Sequence, residues 1–136
     1  MKRFHLDVSS DGQDNIINIS AELNRHLSEL RGEGVLHLFV VGSTAALTTI
    51  EYEPGLVKHD FHETLQRLIP DDIPYKHEAT WNDDNGHSHI RAAMVGPSIS
   101  VPFVNGKLLT GEYQQIVLMD FDTRPRRRTI IETVLA

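Results

Sequence analysis

The chain has 136 residues, 40% of them hydrophobic, with no cysteine and a formal net charge of −6. That length suits a single domain over residues 1–136, and with no bilayer-length apolar run and no signal-type segment in the opening MKRFHLDVSSDGQ, a cytoplasmic protein is expected. The composition excludes a disulfide framework, a thiolate nucleophile and a sulfur-ligated zinc, the acidic balance argues against a general nucleic-acid binder, and without a bilayer-length apolar run no membrane partner is expected.

In chain order, RFHLDV alternates apolar Phe4, Leu6 and Val8 with polar neighbours, the period of a half-buried strand. SSDGQDN then turns the chain into IINIS, a second strand, after which Ser20 is placed to cap a helix with Leu23, Leu27 and Leu30 at helical spacing. RGEG stops that helix. VLHLFVV is short, β-branched and apolar on both faces, so a central strand is expected, followed beyond Gly42 by a strand in STAALTTIEYE that Pro54 ends.

From Gly55 to Ile69 the helical period returns, with Val57, Phe61, Leu65 and Leu68 on one face, Asp60 at its edge, and Pro70 closing the element. The stretch 71–81 shows few helix signals. IRAAMV predicts a short helix from about Ser88, broken by Gly96-Pro97. SISVPFV and KLL flank Asn105-Gly106, a hairpin signal because both turn positions favour positive φ. EYQQIVLMDFD and RRRTIIETVL supply the last strands. Strands and two or three helices without regular βαβ alternation predict an α+β fold, a compact sandwich of mostly antiparallel sheet.

The candidate chemistry centres on NDDNGHSHIR at 82–91. His87 and His89 share a side if that segment is extended, as in many histidine metal pairs, whereas a helical start lets only one face a site. His77 precedes them in PYKHEATW. Asp83 and Asp84 suit an Asx turn as well as a carboxylate ligand. Asp60 beside an apolar stripe needs a partner if buried. Ser43 and Thr44 in GSTAALTT bring hydroxyls to the end of a buried strand. In RPRRR, Arg126 and Arg128 share one strand face and Arg127 the other, a candidate phosphate grip or a soluble surface. His5, His26 and His37 sit inside periodic segments as surface or satisfied positions. His59, opposite the apolar stripe, and His62, at its margin, read as solvated.

The block GHSHIRAAMVGPSISVPFVNGKLLTGEYQQIVLMDFDTRPRRR, together with GSTAALTTIEYEPG, Asp60 and the Tyr75-x-His77 element, resembles the YjbQ family, also called the secondary thiamine-phosphate synthase family. The resemblance implies a compact α+β sandwich assembling as a homotrimer, a histidine-lined polar pocket, and a weak thiamine-phosphate synthase activity. It points to Asp60, His77, Asn85, His89 and Gln114 as pocket residues. Gly42 stands where many members carry histidine, with His87 a candidate to take that place, and Tyr113 stands where many carry tryptophan.

The reaction so implied joins a hydroxymethylpyrimidine diphosphate to a thiazole phosphate with release of pyrophosphate. Asp60 and Asp84 would hold a magnesium ion, His77 and His89 would orient or protonate phosphate oxygens, and Arg126 and Arg128 would bind the second phosphate, beside Asn85, Gln114, Ser43 and Thr44. The alternatives are a trimer that binds a metal, zinc suiting His77, His87, His89 and Asp84 better than magnesium, or a small anion, and an interaction module with its histidines in subunit contacts.

Overall fold

A computed structural model describes residues 1–136. Two antiparallel sheets form an α+β sandwich with helices on one outer face. The first sheet runs in the order β1 (Lys2–Ser10), β8 (Arg126–Leu135), β3 (Glu33–Val41), β5 (Ser98–Val104), β6 (Lys107–Leu108); the second runs β2 (Asn15–Asn18), β7 (Gln114–Asp120), β4 (Ala45–Glu51). β3 is central, as its two-faced apolar run predicts. Asn105 and Gly106 take φ of 46° and 78°, so the β5–β6 turn has the expected handedness.

β7 decides the layering. Its alternate residues Ile116 and Leu118 enter the core between the sheets with Leu36, Leu38, Val40 and Ile130, while Val117, Met119 and the following Phe121 face Val57, Leu65 and Ala92 of the helical layer. A strand apolar on both faces therefore has a cover on each. α1 (Ser20–Leu27) closes one end of the inter-sheet core with Leu23 and Leu27. Ser20 is its first helical residue rather than its cap: its amide is taken by Asn18 Oδ1 at 3.0 Å, and its hydroxyl accepts from the Ile116 amide at 2.9 Å.

The predicted helix over 55–69 is present in two parts, a π-helical turn at Leu56–Asp60 running into α2 (Phe61–Leu68). Its start is held by Glu53, whose carboxylate accepts from the Gly55 and Leu56 amides at 2.9 Å each. Two expectations change. Residues 76–81 form a helix, α3 (Lys76–Trp81), closed by Asn82 in the left-handed conformation, because neighbouring elements supply the order that local propensity does not. α4 (Gly86–Val95) starts two residues ahead of the expected Ser88. No helix is long and apolar enough to cross a membrane.

One charged group lies inside the sandwich. Glu132 on β8 is 0% exposed and faces the core beside Ile130 and Val134; Oε2 meets His26 Nδ1 at 2.7 Å, and Oε1 has no partner. Burial raises the pKa of this carboxyl, an effect His26 only partly offsets. A raised folded pKa contributes stability that is complete below the unfolded value, about 4.5, and is lost as pH rises through the folded one. Glu132→Gln should therefore gain stability relative to the native chain as pH rises above about 4.5. Urea unfolding at a series of pH values checks this, and a difference independent of pH would contradict it.

Candidate functional site

Between the helical layer and the turns that precede β2 and follow β7 lies a polar cleft of about 710 Å³. Asp14, Lys58, His62, Asp71, Asp84, His87, Arg91 and Asp122 are among its lining residues. Its floor is tied by Arg91, which is 1% exposed. Nη1 donates to both Asp14 oxygens at 2.9 and 2.7 Å, Nε and Nη2 donate to the Ile69 carbonyl at 3.1 and 2.7 Å, and Nη2 also reaches Gln66 Oε1. Asp14 sits in the left-handed region at φ 66°, after Gly12 and Gln13 at 74° and 54°. That run of unusual backbone turns the Asp14 carboxylate into the cleft wall, where His62 Nδ1 also bonds it.

Adjoining the cleft along the segment 83–87 is the histidine cluster. The rings of His77 on α3 and His89 on α4 are in contact, centroids 4.6 Å apart and planes tilted by 59°. His77 Nε2 lies 3.4 Å from Asp83 Oδ1. The Asn85 amide fits its surroundings best when Nδ2 donates to both Asp83 oxygens at 3.1 Å and to His77 Nε2 at 3.2 Å. That arrangement places the proton of neutral His77 on Nδ1.

The cluster exists because α4 can approach α3. A Cβ on Gly86 would come within 2.6 Å of Tyr75 Cβ and 3.4 Å of His77 Cβ, so only glycine lets the start of α4 lie this close. His87 and His89 are two apart on that helix and diverge: His89 meets His77, while buried His87 lines the cleft. Burial, with the nearby Arg91 charge, lowers the His87 pKa. His87 is a neutral imidazole at neutral pH.

Other expected site residues are placed differently. Asp60 is 59% exposed, bonds His59 Nδ1 at 2.8 Å, and is outside the cleft. Asp84 lines the cleft but accepts from Thr123 Oγ1 at 2.8 Å, so the two carboxylates expected to share a magnesium ion do not converge. Gln114 donates to Thr49 Oγ1 at 3.0 Å in a separate depression of about 290 Å³ that shares no residue with the cleft. Ser43 is exposed. Thr44 is buried, donates to Asp122 Oδ2 at 3.1 Å, and accepts from Arg128 Nη2 at 2.6 Å.

The three β8 arginines each pair with a carboxylate of the same chain, only Arg128 being buried. Arg128 grips both oxygens of buried Asp120 at 2.8 Å, Arg126 Nε donates to Asp122 Oδ2 at 2.8 Å, and Arg127 on the opposite face reaches Asp7 at 3.1 Å. Burial alone would raise the Asp122 pKa, but the Thr123 amide and Arg126 outweigh it and keep the carboxyl below its usual range. Gly42, at φ 134°, leaves room for the same system, since a Cβ there would lie 2.7 Å from Arg128 Nη1. Arginine, and not His87, fills the space beside Gly42.

No three histidine, aspartate or glutamate side chains gather around a common point as a metal's donors would. His77, His87, His89 and Asp84 are divided between the cluster and the cleft, so one chain by itself does not fit a resident magnesium or zinc ion. Its available chemistry is that of imidazole, amide, carboxylate and ammonium groups. The residues that sequence reasoning missed are Asp14, Arg91 and the cleft role of His62, which are brought together from separate parts of the chain. Asp120 and Asp122 did carry a signal, because two acids two apart precede two arginines two apart across one short turn.

Fold and site define an α+β sandwich with a helix-roofed polar cleft and a histidine cluster beside it. The sequence pattern described as "UPF0047 protein YjbQ-like" matches residues 4–136. This chain belongs to the YjbQ/UPF0047 family. It is 32% identical over 119 residues to a UPF0047 protein of Archaeoglobus fulgidus, covering 88% of this chain and 90% of that protein. To UPF0047 protein YjbQ of Escherichia coli O157:H7 it is 33% identical over 121 residues, 89% of this chain and 83% of that one. Among solved structures, a hypothetical protein from Aeropyrum pernix K1 superposes with a TM-score of 0.89 at 28% identity, over 100% of this chain and 99% of that one. A YjbQ/UPF0047 family protein from Clostridium acetobutylicum gives 0.85 at 26% identity, over 97% and 99%.

The close approach at Gly86 gives a direct test. Gly86→Ala should cost about 1–3 kcal/mol in urea unfolding, since Tyr75 or the α4 backbone must shift, and should separate the His77 and His89 rings. An unchanged unfolding midpoint with the ring-to-ring contact intact by NMR would refute this account of the cluster.

Proposed function

We propose that this chain acts on a small phosphorylated molecule bound at the histidine cluster and the adjoining cleft, with His77 and His89 as the proton-exchanging groups. The observation that carries this reading is the contact of the two imidazoles with Asp83 and Asn85 on the Nε2 of one of them. A phosphate oxygen docked at such a pair can take a proton from one ring, and Asp83 stabilises the imidazolium on His77 that such exchange requires. Asn85 fixes the ring's orientation in the neutral state.

The finer reading is a thiamine-phosphate synthase-like transferase. Joining a hydroxymethylpyrimidine diphosphate to a thiazole phosphate asks the protein mainly to position both molecules and to stabilise departing pyrophosphate. The imidazole pair suits the leaving diphosphate. Arg128 does not suit the second phosphate in the arrangement seen, because its guanidinium is held by Asp120 and Thr44, whereas Arg126 is tied to Asp122 through Nε alone. A metal- or anion-binding trimer is the second reading, supported by the meeting of two imidazoles that would need further donors from another copy of the chain. Asp60 and Gln114, both exposed and outside the cleft, are available to such a copy.

His89→Ala should weaken pyrophosphate binding by at least tenfold in calorimetry while leaving the unfolding midpoint close to that of the native chain. His59→Ala, on the solvent face, should bind as the native chain does. Equal binding by both variants would remove the phosphate reading, and stoichiometric zinc in untagged protein would favour the second one. Sedimentation velocity at micromolar concentration should give a trimer, and a monomer there would dispose of subunit-shared sites.

A further inference from the structure

The cleft holds a second imidazole–carboxylate unit, away from the His77–His89 pair. Lys58 and His62 are four apart, the first in the π-helical turn and the second in α2, and both line the cleft, whereas His59 and Asp60 between them point to solvent. Single π-turns inside α-helices recur at functional sites because the wider turn re-aims side chains. His62 is half-exposed, and its Nδ1 is committed to Asp14. A ring with Nδ1–H on a carboxylate leaves Nε2 as its free nitrogen. Behind it, Asp14 is held from the other side by Arg91, so the carboxylate is fixed in place and cannot swing with the histidine.

The cleft's other charges decide what such a unit can receive. Arg91 is matched by Asp14, and Asp122 by Arg126. Asp84 accepts from Thr123 and Asp71 from Gln66, neutral donors that leave both carboxylates charged, the Gln66 bond lowering the Asp71 pKa. Lys58 is exposed and makes no comparable ion pair. One lysine ammonium and one carboxylate-anchored imidazole on the same wall, with His87, are the cleft groups that can donate to an anion, set against the charges of Asp71 and Asp84. Ammonium and imidazole donors side by side are the ordinary means of holding phosphate oxygens.

We propose that Lys58 and His62 form a phosphate seat on the cleft wall, distinct from the His77–His89 pair, with Asp14 and Arg91 as the residues that position His62. The proposal rests on the reading of the ligand as a phosphorylated molecule, and it assigns one of its phosphate groups to this wall. Lys58 supplies charge, and His62 Nε2 exchanges a proton with a phosphate oxygen. A proton taken up from a monoprotonated phosphate gives an imidazolium between that oxygen and the Asp14 carboxylate. No covalent bond between protein and ligand is made or broken.

The probe is inorganic pyrophosphate, titrated calorimetrically into the intact protein. His62→Asn keeps a donor at the Nδ1 position for Asp14 and removes Nε2, and Lys58→Met keeps the length of the stem and removes the charge. Each should weaken pyrophosphate binding roughly tenfold, as the loss of one charge-assisted contact does, with unfolding midpoints near native. In the native chain the ¹⁵N resonance of His62 Nε2 should move when pyrophosphate is added. Native-strength binding by both variants with a stationary His62 resonance, while His89→Ala loses binding, would overturn the seat and leave the histidine-cluster reading standing. No pyrophosphate binding by the native chain would overturn both.

Discussion

The buried pair of Arg91 and Asp14 is the constraint on which the functional end of this molecule depends. Arg91 reaches from α4 to the turn before β2 and to the carbonyl and side chain at the end of α2, so one guanidinium joins three segments. All of its bonding directions are used, which is what makes a charge at 1% exposure tolerable. Such a pair gains little against an apolar substitute, yet removing one partner leaves an uncompensated buried charge at a cost of about 3–5 kcal/mol. Its effect is therefore more on geometry than on net stability. It fixes the cleft wall, and with it the ring of His62.

The same economy governs the rest of the site. Three of this acidic chain's arginines are spent on buried carboxylates: Arg128 on Asp120, Arg126 on Asp122, Arg91 on Asp14. Asp120 and Arg128 also join the second sheet to the first near the turn between β7 and β8, two strands in different sheets. What remains for a ligand is a lysine and several imidazoles, groups that change charge or carry it at the end of a flexible stem. On the proposed phosphate reading, such groups would favour proton exchange over a rigid fork-like grip.

Much of the fold was legible because its signals are local. Period-two alternation in RFHLDV, the doubly apolar VLHLFVV, and Asn105-Gly106 each report a backbone state through sterics that need no distant partner. The order of elements then limits the architecture to a mixed antiparallel sandwich. α3 was not legible, since KHEATW has no periodic apolar face and buries no residue fully. Its helix is set by a left-handed Asn82 and by packing of Tyr75 and His77 against Gly86. The assignment of His62 to solvent held only in part, since the ring is half-exposed yet bonded to Asp14: a helical wheel reports which way a side chain leaves the helix, and it cannot report that Asp14 is waiting there.

By itself the sequence determined the strands, the hairpin, the main helices and the concentration of His77, His87 and His89 near one glycine, all consequences of short-range sterics and hydrophobic period. It also placed Arg126 and Arg128 on one face and Arg127 on the other. Only the tertiary structure decided that Arg126 and Arg128 pair with Asp122 and Asp120, that His87 and His89 part company, that Asp60 faces water, and that Asp14, His62 and Arg91 meet. Those outcomes depend on which charges come within a few ångströms of each other after the sheets and helices pack, and the strength of an ion pair or hydrogen bond is set by that final distance and burial, which local sequence does not carry.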